Sequence, residues 1–285
     1  MDARHRQQGE GPALSAAEPS ADAATVVALA GVDKTFANGT RALAPVELVV
    51  RRGEFVSLLG PSGCGKTTLL NIAAGLLAPT RGTVRWWGGP LAATGADGRR
   101  LAFVFQSPTL MPWARIDTNV RLPLDLARAD RAIADRAVAE ALERVGLQGF
   151  AHQLPRELSG GMQMRVSIAR ALVTHPDLLL MDEPFGALDE FTRQRLDEEL
   201  SALWRERGLT VMFVTHSIIE AVFLSTRVAV MAARPGRLIA DVTIDAPFPR
   251  DDAFRVSTTA ADYGRQLSAL VAHAGAQAGV GARSA

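Results

Sequence analysis

The chain has 285 residues, 31 basic and 30 acidic side chains, and a net charge of +1 at neutral pH. That balance argues against a protein built mainly to coat nucleic acid, and 48% hydrophobic with 21% charged residues is a globular rather than a disordered composition. Lys34 and Lys66 are the two lysines, every other basic residue being arginine, and the single cysteine, Cys64, allows neither an internal disulfide nor a multi-cysteine zinc site.

Residues 1–23 are rich in Ala, Gly, Pro, Ser and Glu without periodicity. They read as a disordered leader, with no apolar centre of the secretory kind. Strands are predicted at Thr25–Leu29, Val46–Val50 and Phe55–Leu59, the last an apolar run bounded by glycines, as a buried parallel strand should be. A helix follows from Thr67 to Leu77, stopped near Pro79. Further strands are predicted at Thr83–Trp87, Leu101–Phe105, Leu178–Asp182, Thr210–Thr215, Val228–Met231 and Leu238–Ile244. Helical spacing marks Ile116–Ala127, Ala132–Val145 and Gly161–Val173. Near the end, Tyr263, Leu267, Leu270 and Val271 stand at i, i+4, i+7 and i+8. Strands alternating with helices predict an α/β sheet. The expected division is a main domain over 24–245, a helical subdomain inserted at about 107–175, and a partly helical tail over 246–285. No stretch has the roughly 20 apolar residues of a membrane span.

Gly60-Pro61-Ser62-Gly63-Cys64-Gly65-Lys66-Thr67 fits G-x-x-x-x-G-K-[ST] at every fixed position, with a strand before it and a helix after. The glycines let successive backbone N–H groups converge on one anion at a helix N-terminus. Lys66 adds an ammonium for the β- and γ-phosphates, Thr67 a hard oxygen for Mg²⁺, and Thr68 continues the phosphate cradle. Cys64 inside the loop reads as a small side chain at a free position; the sharper alternative is a thiol of lowered pKa at a helix N-terminus, whose alkylation blocks nucleotide binding.

Leu178-Leu179-Leu180-Met181-Asp182-Glu183 is a buried strand ending in two carboxylates. Consecutive strand residues point to opposite faces, so the two are expected to do different jobs. Asp182 suits Mg²⁺, directly or in the second sphere, and Glu183 suits the acceptance of a proton from attacking water. Gln106 and His216 each follow a strand, at the sheet end where ligands bind. Gln106 offers an amide to Mg²⁺ or water and His216 a hydrogen bond to the γ-phosphate, but neither residue would be singled out in isolation.

Leu158-Ser159-Gly160-Gly161-Met162-Gln163 is a second Gly-rich helix start, for which a generic phosphate-loop enzyme has no need. It resembles the signature motif of ATP-binding cassette (ABC) ATPases. The family's other parts stand in the family's order: the phosphate loop, Gln106 in the Q-loop, the signature, the acidic strand, Gly186-Ala187-Leu188-Asp189 as the D-loop, and His216 as the switch histidine. Phe36 falls where the family stacks an aromatic on adenine. The resemblance covers roughly residues 24–245. It implies a P-loop NTPase of the ABC ATPase fold, with a mixed-sheet core, an antiparallel β subdomain and an inserted α-helical subdomain. It also implies ATP and Mg²⁺ as cofactors and a head-to-tail dimer. In that dimer Ser159 and Gly161 of one copy complete the ATP site of the other, and Gly160 and Asp189 are further nucleotide-binding positions. Two departures are Phe36 in place of the commoner Tyr, and Met162 where Gln is commonest. The segment Gln106–Trp113 and the run Ser217–Arg237 resemble ATPase subunits of nitrate/sulfonate/taurine-type importers, a group that includes importers of pyrimidine-like compounds. There Leu110, Met111, Pro112 and Trp113 follow the Q-loop, where the family docks its membrane permease; the alternative is that they pack inside the helical subdomain.

The leading reading is therefore a peripheral ATPase subunit on the cytoplasmic face of the cell membrane, energising a permease that is served by a separate substrate-binding protein. A non-transport ABC ATPase of DNA repair or translation is the alternative. Only 53 positions separate Gln106 from Ser159, too few for a long coiled-coil insertion, and one cassette fills the chain. A P-loop kinase or GTPase leaves 158–163 unexplained. Nucleic acid is not an expected partner.

Overall fold

The structure, a computed structural model, describes residues 24–91, 98–186 and 188–280. The 1–23 leader lies outside the described residues, as does Ala187 of the predicted D-loop.

β1 (Thr25–Thr35), β2 (Arg41–Arg51) and β4 (Arg81–Trp86) form an antiparallel sheet with β1 in the middle. β3 (Phe55–Leu59), β5 (Leu101–Val104), β6 (Leu178–Asp182), β7 (Thr210–Thr215), β8 (Arg227–Ala232) and β9 (Arg237–Thr243) form the central sheet. Its order is β5-β6-β7-β3-β8-β9, parallel throughout except for the last pair. β3, β6 and β7 are buried along their whole length, which is why their sequences run apolar without alternation.

Eight helices surround this sheet among the described residues. α1 (Lys66–Ala73) leaves the phosphate loop. α2 (Ile116–Leu126), α3 (Arg131–Arg144) and α4 (Gly160–Leu172) lie between β5 and β6. α5 (Glu190–Arg207) and α6 (Ile218–Leu224) follow β6 and β7. α7 (Asp252–Arg255) and α8 (Thr258–Val280) end the chain.

Several elements differ from expectation: β1 and β2 each span 11 residues rather than five, α6 is not among the predicted elements, and two more differences have a local cause. α1 stops at Ala73, before Leu77, because Gly75 takes φ +71° and turns the chain out of the helix well ahead of Pro79. The 18-residue α5 is not among the predicted elements. Most of its residues are charged or polar, and its buried apolar seam is Leu196, Leu200 and Trp204 alone. Its end signals are nevertheless in the sequence: Asp189 caps it by accepting from Thr192 N at 3.0 Å, and Gly208 closes it at φ 61°.

The core lies in layers on the two faces of the central sheet. On β7, Val211 and Phe213 join one layer with Phe55, Phe185, Trp204 and residues of α2–α4. Met212 and Val214 join the other, with α1 and the antiparallel sheet. The two-residue period of the strand divides one apolar run between the layers, and each buried Phe or Leu contributes about 2–3 kcal/mol. A third cluster seats the tail. Leu267 is fully buried, with Tyr263, Leu270 and Val271 packed around it against Val222, Val228 and Ile244. Arg250 fastens the same region by donating to five carbonyls, those of Val222, Phe223, Ser225, Ile244 and Ala246.

Candidate nucleotide site

The phosphate loop joins β3 to α1. Its tightness has a local cause: Gly65 sits at φ 94°, where a side chain is strained, and a Cβ there would come within 2.7 Å of Leu43. Leu43 pairs with Lys34, so the loop is tucked beneath the end of β1 that carries Phe36. Gly236, which sequence reasoning did not single out, closes the other side. A Cβ there would be 2.2 Å from the Cys64 carbonyl oxygen.

Lys66 is buried and its ammonium donates to the carbonyls of Gly60 (2.8 Å) and Pro61 (3.2 Å). Glu183 Oε1 lies 3.9 Å from the same nitrogen. Thr67 Oγ1 donates to Asp182 Oδ1 at 3.0 Å, and burial raises the Asp182 pKa. His216 Nδ1 lies 3.2 Å from Glu183 Oε2. Five predicted residues from three parts of the chain therefore meet at the carboxyl ends of β3, β6 and β7.

The expected opposition of Asp182 and Glu183 is not found. They touch consecutive loop residues, Thr67 and Lys66. β6 ends at Asp182, and Glu183 takes φ 44°. The alternation rule stops where the strand stops, and the left-handed backbone turns Glu183 back toward the loop.

Cys64 departs from its sharper reading. The side chain is fully buried, and burial pushes the thiol pKa up rather than down. The loop presents its backbone to the nucleotide side and hides this sulfur behind it; a Cβ on Gly60 would lie 2.9 Å from it.

α1 has no side-chain cap and no acidic residue in its first turn, so its leading N–H groups are not satisfied by its own side chains. Ser62 and Gly63 are exposed and Thr68 is half-buried. Gln106 is exposed just past β5, whose Val104 pairs with Met181, so it stands at the same sheet end as Glu183. Phe36 is 40% exposed. Lys34, to which the sequence assigned nothing, donates to the Ala78 carbonyl at 2.7 Å and sits 5.5 Å from the Phe36 ring centroid, which steadies that strand end.

The signature segment stands apart. Ser159 caps α4, accepting from Met162 N at 3.3 Å. Gln163 braces the turn through the carbonyls of Pro155 (3.0 Å) and Leu158 (3.2 Å). Among the described residues no hydrogen bond or ion pair joins 159–163 to the phosphate loop of the same chain. Ser159, Gly160 and Asp189 are all exposed. After Gln106, the turn at Thr109 is held by Arg170, which donates to the Pro108 and Thr109 carbonyls at 3.0 Å each. Buried Asn119 secures Met111 and Ala114. On this rigid base Trp113 is 78% exposed. Of the four apolar residues there, Leu110 packs against the core and Trp113 does not.

Residues 43–186 match the family described as ABC transporter. The chain belongs to the ABC transporter family. It is 45% identical to the aliphatic sulfonates import ATP-binding protein SsuB of Bacillus licheniformis, over 76% of this chain and 84% of that one. A dimeric structure of a bacterial ABC transporter cassette superposes with a TM-score of 0.70 at 35% identity, covering 78% of this chain and all of that one. A dimeric post-hydrolysis state bound to ADP and phosphate superposes with a TM-score of 0.69, again at 35% identity. The fold is therefore the P-loop ABC ATPase fold, and this ABC protein is an ATP-hydrolysing subunit of the importer type. Neither the repair or translation alternative nor a kinase or GTPase is favoured.

Proposed function

We propose that this ABC ATPase energises a membrane importer for small organic anions of the aliphatic sulfonate kind. The observation that carries the ATPase chemistry is the convergence of Lys66, Thr67, Asp182, Glu183 and His216 on one end of the sheet. The substrate class is supported by the likeness to the SsuB relatives.

In this reading the α1 N-terminus and the backbone of 60–67 cradle the phosphates of ATP. Lys66 leaves its carbonyl partners for the β- and γ-phosphates. Phe36 stacks on adenine. Glu183 orients the attacking water and accepts its proton, and His216 steadies the γ-phosphate. A hydroxyl and a carboxylate 3.0 Å apart are hard oxygen donors that fit Mg²⁺. Thr67 and Asp182, with Gln106, would hold that ion, whose charge offsets the phosphates. Ser159, Gly160 and Asp189, all exposed, and the half-buried Gly161 are unconnected to their own phosphate loop and serve the ATP of a second copy. ATP then joins two copies, and hydrolysis removes the joint.

Among the described residues no helix is long and apolar enough to cross a membrane. The chain works peripherally, on the cytoplasmic face, through permease subunits docked on the patch around Trp113. A substrate-binding protein acts indirectly, by delivering solute to the permease. The test is uptake of a labelled alkanesulfonate by cells making this chain with its permease. Uptake should vanish with Lys66→Ala; unchanged uptake after deletion of the chain would refute the reading.

A further inference from the structure

We propose that Arg193 and Glu220 are positioning residues for ATP hydrolysis, their ion pair holding the loop that carries His216 against the start of α5. The proposal rests on the reading of His216 as a γ-phosphate contact. Neither residue touches the phosphate loop, so both act through others.

Glu220 is buried on α6. Its Oε2 accepts from Thr215 Oγ1. Thr215 Oγ1 in turn accepts from Ser217 N at 2.9 Å, and Ser217 Oγ accepts from Glu220 N at 3.3 Å. The residues on either side of His216 are thus both tied to Glu220, Thr215 through the carboxylate and Ser217 through the backbone N–H. On its other side, Glu220 Oε1 lies 3.5 Å from Arg193 Nε. The remaining Arg193 nitrogens reach the start of α5: Nη2 donates to the Leu188 carbonyl at 2.9 Å and Nη1 to Glu190 Oε2 at 3.1 Å. Leu188 precedes Asp189 and also faces the signature. A Cβ added to Gly161 would lie 3.5 Å from Leu188 Cδ2 and 3.3 Å from Thr192 Cγ2.

A continuous set of contacts therefore runs from the His216 loop through Glu220 and Arg193 to Leu188 and on to Gly161. Its ends serve different ATP molecules in the proposed dimer: His216 serves its own, and Gly161 the partner's. The planar guanidinium suits this place because it meets a carboxylate and a carbonyl at fixed angles, which one ammonium cannot do. Glu220 is removed from water, so its pairing is little screened, and losing one partner leaves an uncompensated buried charge.

The test is steady-state ATPase of the full chain carrying Arg193→Met, Glu220→Gln and both together, with melting temperatures. Each single change should lower kcat about tenfold with KM for ATP within about twofold, and the double variant should be no worse than the poorer single. Either single variant turning over within twofold of the parent overturns the proposal. So do losses that multiply in the double variant, or losses that follow the melting temperature. His216→Ala separates the two readings. If it retains parental turnover, the role of His216 fails; if it is inactive while both single variants are normal, only the positioning role fails.

Discussion

His216 Nδ1 lies 3.2 Å from Glu183 Oε2, across 33 residues of chain. The same carboxylate reaches Lys66 from its other oxygen at 3.9 Å. Glu183 is thus held between the Lys66 side chain and an imidazole, at the point where its left-handed backbone aims it at the phosphate loop. Glu183→Gln keeps the shape and loses the base. ATP should still bind within about threefold of the parent, while turnover falls about 10²–10⁴-fold. Equilibrium binding of a fluorescent ATP analogue and single-turnover hydrolysis check the two halves.

Cys64 should be inert. A fully buried thiol whose pKa is raised by burial offers little thiolate at neutral pH. A maleimide should label the native chain only after denaturant is added, and added ATP should make no difference to the native rate. Rapid native labelling at pH 7 that ATP suppresses would restore the reactive-thiol reading.

Arg250 should be costly to remove. Burial pushes its pKa down to about 10, so it stays charged at neutral pH, and its two Nη atoms serve five carbonyls. Arg250→Met leaves those acceptors without donors and should destabilise folding by about 3 kcal/mol or more. Urea denaturation measures this, with the loss expected while nucleotide affinity is unchanged.

Asp197 should make stability fall with pH. Its carboxyl is pushed up to about 8, first by burial and then by Glu220. The folded state therefore binds a proton that the unfolded chain releases near pH 4. Stability from this group is full below pH 4 and is lost as pH rises toward 8. Asp197→Asn should remove that slope, so its melting temperature should gain on the parent between pH 5 and 8. Parallel curves would exclude Asp197 as the source.

Much of this molecule was legible in one dimension, for physical reasons. The phosphate loop has to be read in sequence, because its glycines, Lys66 and Thr67 act through a short stretch of backbone. The apolar runs of β3, β6 and β7 announce strands buried on both faces, and their predicted bounds are those observed. The composition that left only two lysines also acquires a meaning: Lys66 is the compact ammonium of the loop, and Lys34 braces the strand end beneath Phe36.

Other features belong to the tertiary structure alone. The α5 helix hides its apolar seam among charges. Asp182 and Glu183 face the same loop because a strand ends between them, a backbone event that alternation cannot foresee. The Cys64 thiol is buried because it joins a core cluster built from distant segments, with Leu43, Leu178 and Met231 among its members. Arg193 and Glu220 look like ordinary surface charges in sequence, and only the packing of α6 on α5 pairs the half-buried Arg193 with the buried Glu220. Local chemistry determined which residues handle phosphate; long-range packing decided how they are aimed and what holds them there.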